Sequence, residues 1–203
     1  MSTYRKTGRG IVAGKPRVNF KFDGKTYQGF EGDTLASALI ANGVHLMGRS
    51  FKYHRPRGPM GAGSEEPNAI VTFDRGEGRV TPNVRATALE IFEGMSVESQ
   101  NSFPNLKFDI GAFNNTFSRF FPAGFYNKTF MWPRAFWEKL YEPIIRRAAG
   151  LGGLSGKHNP DTYEKAYAFC DVLVIGSGPA GLMAAMTAAK AGADVILAEE
   201  DAM

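Results

Sequence analysis

Residues 171–181 read Asp-Val-Leu-Val-Ile-Gly-Ser-Gly-Pro-Ala-Gly, and this stretch decides how the C-terminal end of the chain folds. Asp171 to Ile175 is a short apolar run of the kind that forms a buried parallel strand. Glycines follow at 176, 178 and 181, and an alanine-rich helix is predicted from there to about Ala191. Gly192 is placed to end that helix, and Asp194 to Ala198 predicts a second strand, with Glu199 at its end, 23 residues beyond Gly176. Strand, glycine turn, helix and a second strand ending in a carboxylate form the pattern of a nucleotide-binding unit. Gly176 permits the tight turn, Gly178 lets a pyrophosphate approach the backbone, and Gly181 lets helix and strand pack closely. Together with Ser177, Pro179 and Ala180 they make the expected phosphate cradle, where a helix start offers unpaired N–H groups and positive dipole. Glu199 is expected to accept hydrogen bonds from a ribose hydroxyl, which favours a cofactor without a 2′-phosphate; Glu200 and Asp201 are alternatives for that role.

Upstream of this unit, Gly150-Leu-Gly-Gly-Leu-Ser-Gly156 reads as a flexible joint. Before it, thirteen of the chain's twenty-five aromatic residues fall between Phe103 and Tyr141, a density expected of core or domain-interface packing. Pro133 is placed to start a helix from Arg134 to Glu142, with Pro143 kinking or restarting it.

Nearer the N-terminus, Val18-Asn-Phe-Lys-Phe22 alternates apolar and polar residues, Asp23-Gly24 is a hairpin turn, and Lys25-Thr-Tyr27 returns. Asp33 or Thr34 is predicted to cap a helix running from Leu35 toward Asn42, and Gly43 to end it. A further strand is expected over Ala69–Phe73. A hairpin followed by a helix over its face opens a β-grasp domain of the ferredoxin type. The expected architecture is therefore α+β followed by α/β. It comprises a β-grasp domain over 1–100, an aromatic-rich connecting segment with its glycine joint over 101–170, and the first βαβ of a Rossmann-like domain over 171–203.

Composition narrows the function. With 43% hydrophobic and 22% charged residues, the chain is of ordinary globular type. Its single cysteine, Cys170, excludes an internal disulfide framework and any site built on four thiolates. That usage fits a reducing cytoplasm. The basic start, MSTYRKTGRG, leads into no apolar run, so no secretory signal is read, and Lys190, Gly192 and Asp194 break the one mildly apolar stretch. No membrane segment is expected. The net charge of +4 is uneven: residues 1–60 carry +8 and the remainder −4. Such asymmetry suits an anionic cofactor, an acidic partner or simply a solvated face.

Arg49-Ser-Phe-Lys52-Tyr-His54-Arg55-Pro-Arg57 interleaves cations with rings. It is expected to be a structural loop that turns Phe51 and Tyr53 inward and leaves its cations solvated; a cofactor phosphate or an acidic partner is the alternative. Single-stranded nucleic acid is held by similar residues, but nothing else in the chain supports that reading. His45 is expected to be a packing residue, His158 to be exposed, and Cys170 to be a small buried hydrophobe. Three scattered histidines give no metal-ligand spacing, so no metal site is expected.

Several ungapped stretches resemble the N-terminus of sarcosine oxidase α subunits. They include Gly32-Asp-Thr-Leu-Ala-Ser-Ala-Leu39, Asn42-Gly-Val-His-Leu46, Gly48-Arg-Ser-Phe-Lys-Tyr-His-Arg-Pro-Arg-Gly58, Glu65-Glu-Pro-Asn-Ala69, Phe121-Pro-Ala-Gly-Phe-Tyr126 and Lys128-Thr-Phe-Met-Trp-Pro133. The resemblance implies the N-terminal portion of one subunit of a bacterial heterotetramer that oxidatively demethylates sarcosine. It implies NAD on this subunit, FAD and FMN elsewhere in the complex, and a missing C-terminal half that uses tetrahydrofolate. It places the amine-oxidising site on another subunit, so no catalytic residue is carried over. Electron-carrying β-grasp relatives hold a [2Fe–2S] cluster on four cysteines, most of them in the loop after the helix; here that loop has Gly48 and Ser50 and no cysteine, so no iron–sulfur cluster is expected. The stop at Met203, after two strands and a helix, is expected of a piece of a longer subunit. Two alternatives remain: a subunit of an opine oxidase or cyanide-forming glycine oxidase, and a non-enzymatic fragment that docks a partner.

Overall fold

A computed structural model describes residues 4–6, 8–120, 124, 132–158 and 160–199. The chain divides into two compact units, residues 1–160 and 161–203.

The first unit begins with the predicted hairpin. Strands β1 (Arg17–Phe22) and β2 (Lys25–Phe30) pair antiparallel around Asp23 and Gly24, whose φ angles are 48° and 74°. Left-handed geometry at both central positions is what an Asp-Gly turn supplies. Helix α1 (Leu35–Ala41) follows, with Thr34 as its cap, accepting from the Ser37 N–H at 3.2 Å. Two-residue strands β3 (Gly48–Arg49) and β4 (Pro56–Arg57) close a loop after the helix. Strands β5 (Ile70–Asp74), β6 (Val80–Arg85) and β7 (Ser96–Ser99) complete a five-stranded sheet in the order β2-β1-β7-β5-β6. Only the β1–β7 pairing is parallel. A mixed sheet with one helix laid on it is an α+β arrangement, as expected of a β-grasp domain.

The core lies between α1 and the sheet. Leu35, Ala38 and Leu39 from the helix meet Phe20, Val71 and Val97 from the strands, closed by Ile91 and Met95. Gly29 lets β2 pass close beneath the helix, because a Cβ there would overlap Ile91 and lie 3.0 Å from the Ala38 Cβ. Buried Asp33 fastens the N-terminal segment to this core: both its oxygens accept from the Arg5 guanidinium, at 2.8 and 2.7 Å, and it also accepts from the Phe30 N–H and the Ser37 hydroxyl.

The segment from 101 to 160 departs from expectation in three ways. Among the described residues its rings do not pack into the core: Phe103, Phe108, Phe113, Phe117, Trp132, Phe136 and Trp137 are all exposed, and Leu106 is what enters the core instead. The predicted helix from Arg134 begins as a 3-10 turn, Arg134–Phe136, widens to a π turn, Trp137–Tyr141, and becomes α-helical only in α2 (Glu142–Ala148). Pro143 sits in the first turn of α2, where its missing N–H costs no helical hydrogen bond. The glycine-rich joint is tied down. Asn83, itself at φ 62°, donates to the Gly152 carbonyl at 3.2 Å and accepts from the Gly152 N–H at 3.0 Å, and the Ser155 hydroxyl donates to Gly78.

The second unit is a βαβ element. Strand β8 (Val172–Ile175) and strand β9 (Val195–Ala198) are parallel, joined through helix α3 (Pro179–Lys190). Gly192, at φ 91°, turns the chain out of the helix. The buried-strand reading of residues 171–175 is not met here: Leu173 and Ile175 are exposed, because two strands and one helix cover only part of the sheet. Cys170 is likewise half-buried rather than buried. Among the described residues no helix is long and apolar enough to cross a membrane.

Candidate nucleotide-binding site

The site is built at the carboxyl end of β8. Gly176 takes φ +98°, a left-handed value that a side chain would strain, and its N–H donates to the Ala198 carbonyl at 2.8 Å, joining the turn to the end of β9. A Cβ at Gly181 would overlap the Gly176 carbonyl oxygen, so that glycine sets how closely α3 approaches the turn. Gly178 is different. It caps α3 without any side-chain hydrogen bond, and a Cβ built on it meets nothing within 4 Å. Among the described residues no atom stands where its Cβ would be; the space it opens lies at the uncapped start of a twelve-residue helix, where N–H groups and dipole favour an anion.

The Glu199 carboxylate accepts a hydrogen bond from the Ser177 N–H. Strand β9 therefore delivers its terminal carboxylate to the glycine turn, although the two are 22 residues apart. Gly176, Ser177, Gly178, Pro179, Ala180, Gly181 and Glu199 are thus brought to one end of the βαβ element, while Glu200 lies outside the described residues.

The loop after α1 turns its polar groups inward. Arg49, expected to be solvated, has a side chain only 8% exposed; it donates to the carbonyls of Leu106 and His54. His54 Nδ1 shares a 2.7 Å hydrogen bond with fully buried Asp109, which also accepts from the N–H groups of Phe103 and Gly111. Arg55 donates to Asn115 at 2.9 Å. Phe51, expected to point inward, is exposed instead. The ring-and-cation pattern is explained by attachment: the cations pin residues 101–115 to the loop, and the ring is left outside. His45 packs edge-on against Tyr4, in keeping with a packing role, and His158 is exposed.

A second carboxylate organises the next turn. Glu66 is 1% exposed and accepts from four backbone N–H groups: Met60 at 2.6 Å, Gly61 at 2.5 Å, Asn68 at 2.7 Å and Ala69 at 3.2 Å. Burial alone would raise its pKa, but the four donors outweigh that and hold it below the ordinary carboxylate value. The sequence offered only the pair Glu65-Glu66 before a proline, with no sign that one of them is the hub.

Residues 15–102 match the family of 2Fe-2S iron-sulfur cluster binding domains, and residues 171–202 match the FAD binding domain family. The whole chain is 61% identical to sarcosine oxidase subunit alpha of Rhizobium meliloti (strain 1021), of which it covers 20%. The chain is a close relative of sarcosine oxidase subunit alpha. Subunits of the same description from Corynebacterium sp. strains P-1 and U-96 are 32% and 31% identical over 89% and 88% of the chain, covering 14% of each. The chain thus spans about a fifth or less of the length of these relatives. A crystal structure of L-proline dehydrogenase from P. horikoshii aligns with 45% of the chain and 17% of its own length, at 24% identity and a TM-score of 0.36.

The two matched families imply two groups, and the residues fit only one of them. An iron–sulfur cluster of this type is held by cysteine thiolates, and residues 15–102 contain none; the single cysteine lies at 170. In the loop after α1, the side chains that could ligate are committed to each other and to backbone. A dinucleotide, by contrast, fits the open space at Gly178, the uncapped start of α3 and the adjacent Glu199 carboxylate.

Proposed function

We propose that residues 171–199 open a Rossmann-like dinucleotide site within a sarcosine-oxidase-type flavoenzyme, and that the bound dinucleotide is NAD. The observation that carries this reading is the vacant approach to Gly178 beside an uncapped helix start, with Glu199 alongside. In it, the turn from Gly176 to Gly181 cradles the pyrophosphate through backbone N–H groups, and Glu199 exchanges its hydrogen bond with Ser177 for the adenosine ribose. When bound, the dinucleotide supplies redox chemistry; this chain's residues bind and orient it and contribute no catalytic group. Glu200 is a second ribose contact in this reading. FAD presents the same adenosine half, so the local residues are compatible with either, and the resemblance to α subunits favours NAD here, with FAD and FMN elsewhere in the assembly.

Residues 1–100 act as a β-grasp platform without a cluster, held by Asp33, Glu66 and Asp109, and residues 101–170 connect it to the dinucleotide domain. The substrate class is an N-methyl amine such as sarcosine, oxidised on another subunit of a cytoplasmic heterotetramer. The test is equilibrium binding of NAD and FAD to the full-length subunit, wild type and Gly178→Val. Loss of NAD affinity in the variant supports the assignment. Unchanged NAD affinity overturns it, and loss of FAD affinity alone reassigns the turn to the flavin.

A further inference from the structure

A cavity with several cations in its lining lies in the first unit, far in sequence from the glycine turn. The N-terminal segment is tied down at both ends of α1: the Tyr4 N–H donates to the carbonyl of Ala41, the helix's last residue, and Arg5 is locked on Asp33 just ahead of it. Gly8, Gly10 and Gly14, all at positive φ, then turn the chain back into β1. Between this turn and β2 lies an open cavity of about 410 Å3. Arg5, Lys6, Arg9 and Arg17 line it together with Phe30 and Asn42, and among the described residues no carboxylate does.

The cations differ in how they are used. Arg5 is neutralised by Asp33 and lies 5.1 Å from the centre of the Phe30 ring. Arg17 flanks the same ring at 5.9 Å and donates to Gln28 at 3.2 Å, a neutral partner. Lys6 and Arg9 make no hydrogen bond or ion pair with any described residue. Three uncompensated positive charges therefore converge on one concavity, whose wall is fixed by the Arg5–Asp33 pair and by Asn42, which donates to the Gln28 carbonyl at 2.8 Å. Like charges gathered without counter-charges repel one another, whereas a surface patch with no ligand to hold has mixed signs available to it. Guanidinium forks and ammonium points are suited to phosphate oxygens.

We propose that this cavity binds a small phosphate-bearing anion, held by Lys6, Arg9 and Arg17 against the Phe30 wall. The residues that line it all belong to the first unit. Its volume suits a pyrophosphate or the phosphate end of a nucleotide, which share this chemistry.

The test is a titration of the 203-residue chain with inorganic pyrophosphate and, separately, ADP, followed by the amide resonances of Gly8, Gly14 and Gly29 and the Arg17 Nε–H. Signals from Gly176 and Gly178 report any binding at the other site separately. Saturable one-to-one shifts at the N-terminal signals are expected. The triple variant Lys6→Ala/Arg9→Ala/Arg17→Ala should weaken them at least tenfold. A control with the same loss of charge elsewhere, Lys21→Ala/Lys139→Ala/Lys165→Ala, should weaken them less than twofold. ADP binding tighter than pyrophosphate at these signals identifies a nucleotide as the source of the phosphate, and equal binding identifies a free anion. Shifts that do not saturate, or equal weakening in both triple variants, would show diffuse charge attraction and overturn the proposal.

Discussion

Two loops of this chain follow a strand or helix, carry glycines and could in principle hold an anion or a metal, yet they use their polar groups in opposite ways. In residues 48–69 the groups are turned on one another. Arg49 is spent on carbonyls, His54 on Asp109, and Glu66 on four N–H groups, so the loop needs no ligand to be complete. In residues 176–181 the start of α3 has no side-chain cap, and the glycine beside it faces open space. Buried polar groups are almost always satisfied, so the internally satisfied loop reads as structure, whereas the exposed start of α3, uncapped by any side chain, offers N–H groups and dipole to an anion. In residues 48–69 the tethering is done by carboxylates, Glu66 within the loop and Asp109 from outside it.

The contrast is most severely tested at Glu66. Replacing it with Ala leaves four N–H donors around a void, each of which costs about 1–3 kcal/mol when unsatisfied and dry. Allowing for water entry, a loss of about 3–5 kcal/mol in urea unfolding of the first unit is expected. Glu66→Gln keeps an acceptor and should cost less. The sign with pH follows from the depressed pKa. The carboxylate's contribution is fully present above its unfolded pKa of about 4.3 and is lost as pH falls through the lower folded value. Glu66→Gln should therefore flatten the acid limb of the stability curve. An unchanged acid limb would mean that Glu66 is not the hub described here.

At the open loop the prediction runs the other way. Gly178→Val places a branched side chain in the space left for a pyrophosphate, and its Cβ meets no described atom within 4 Å. It should leave thermal stability nearly unchanged while lowering dinucleotide affinity in the full-length subunit by about a hundredfold, or about 2.7 kcal/mol. Gly181→Val, three residues on, should lower both, because its Cβ overlaps the Gly176 carbonyl. Similar behaviour of the two variants would erase the distinction between a glycine kept for a ligand and one kept for packing.

Glu199→Ala should have a smaller effect, about 1–3 kcal/mol of dinucleotide affinity for a lost charge-assisted hydrogen bond. Protein stability should barely move, since the carboxylate is exposed. Isothermal titration would show it, and an unchanged affinity would remove Glu199 from the ribose.

The sequence was most readable where local rules and tertiary structure agree. The Asp23-Gly24 turn, a cap at Asp33 or Thr34 (Thr34 in the structure) and the order strand, glycine turn, helix at 171–192 each depend on a few neighbouring residues, and each is present, although the strand is exposed rather than buried. What could not be read depends on distant partners. Asp109 meets His54 across 55 positions, and Arg5 meets Asp33 across 28. Nothing local distinguishes such a carboxylate from a solvated one. The aromatic segment is legible only in part: ring density signals a surface to be covered, and among the described residues the rings from Phe103 to Trp137 are exposed, which removes the core reading and leaves the interface reading standing.

The smallest expected effect lies at the tip of the satisfied loop. Phe51, which its sequence context predicts to face inward, is 64% exposed, while the cations around it do the attaching. If attachment is indeed carried by Arg49, His54 and Asp109, then Phe51→Ser removes apolar surface that is mostly in water already, and unfolding free energy should change by less than about 0.5 kcal/mol. Asp109→Asn in the same loop alters the acceptor for His54 and for two backbone N–H groups, and should cost about 1–3 kcal/mol. Comparing the two by urea unfolding separates ring packing from polar tethering within one loop. A Phe51 variant as damaging as the Asp109 variant would mean that the ring is buried in solution and that the inward reading from the sequence was right after all.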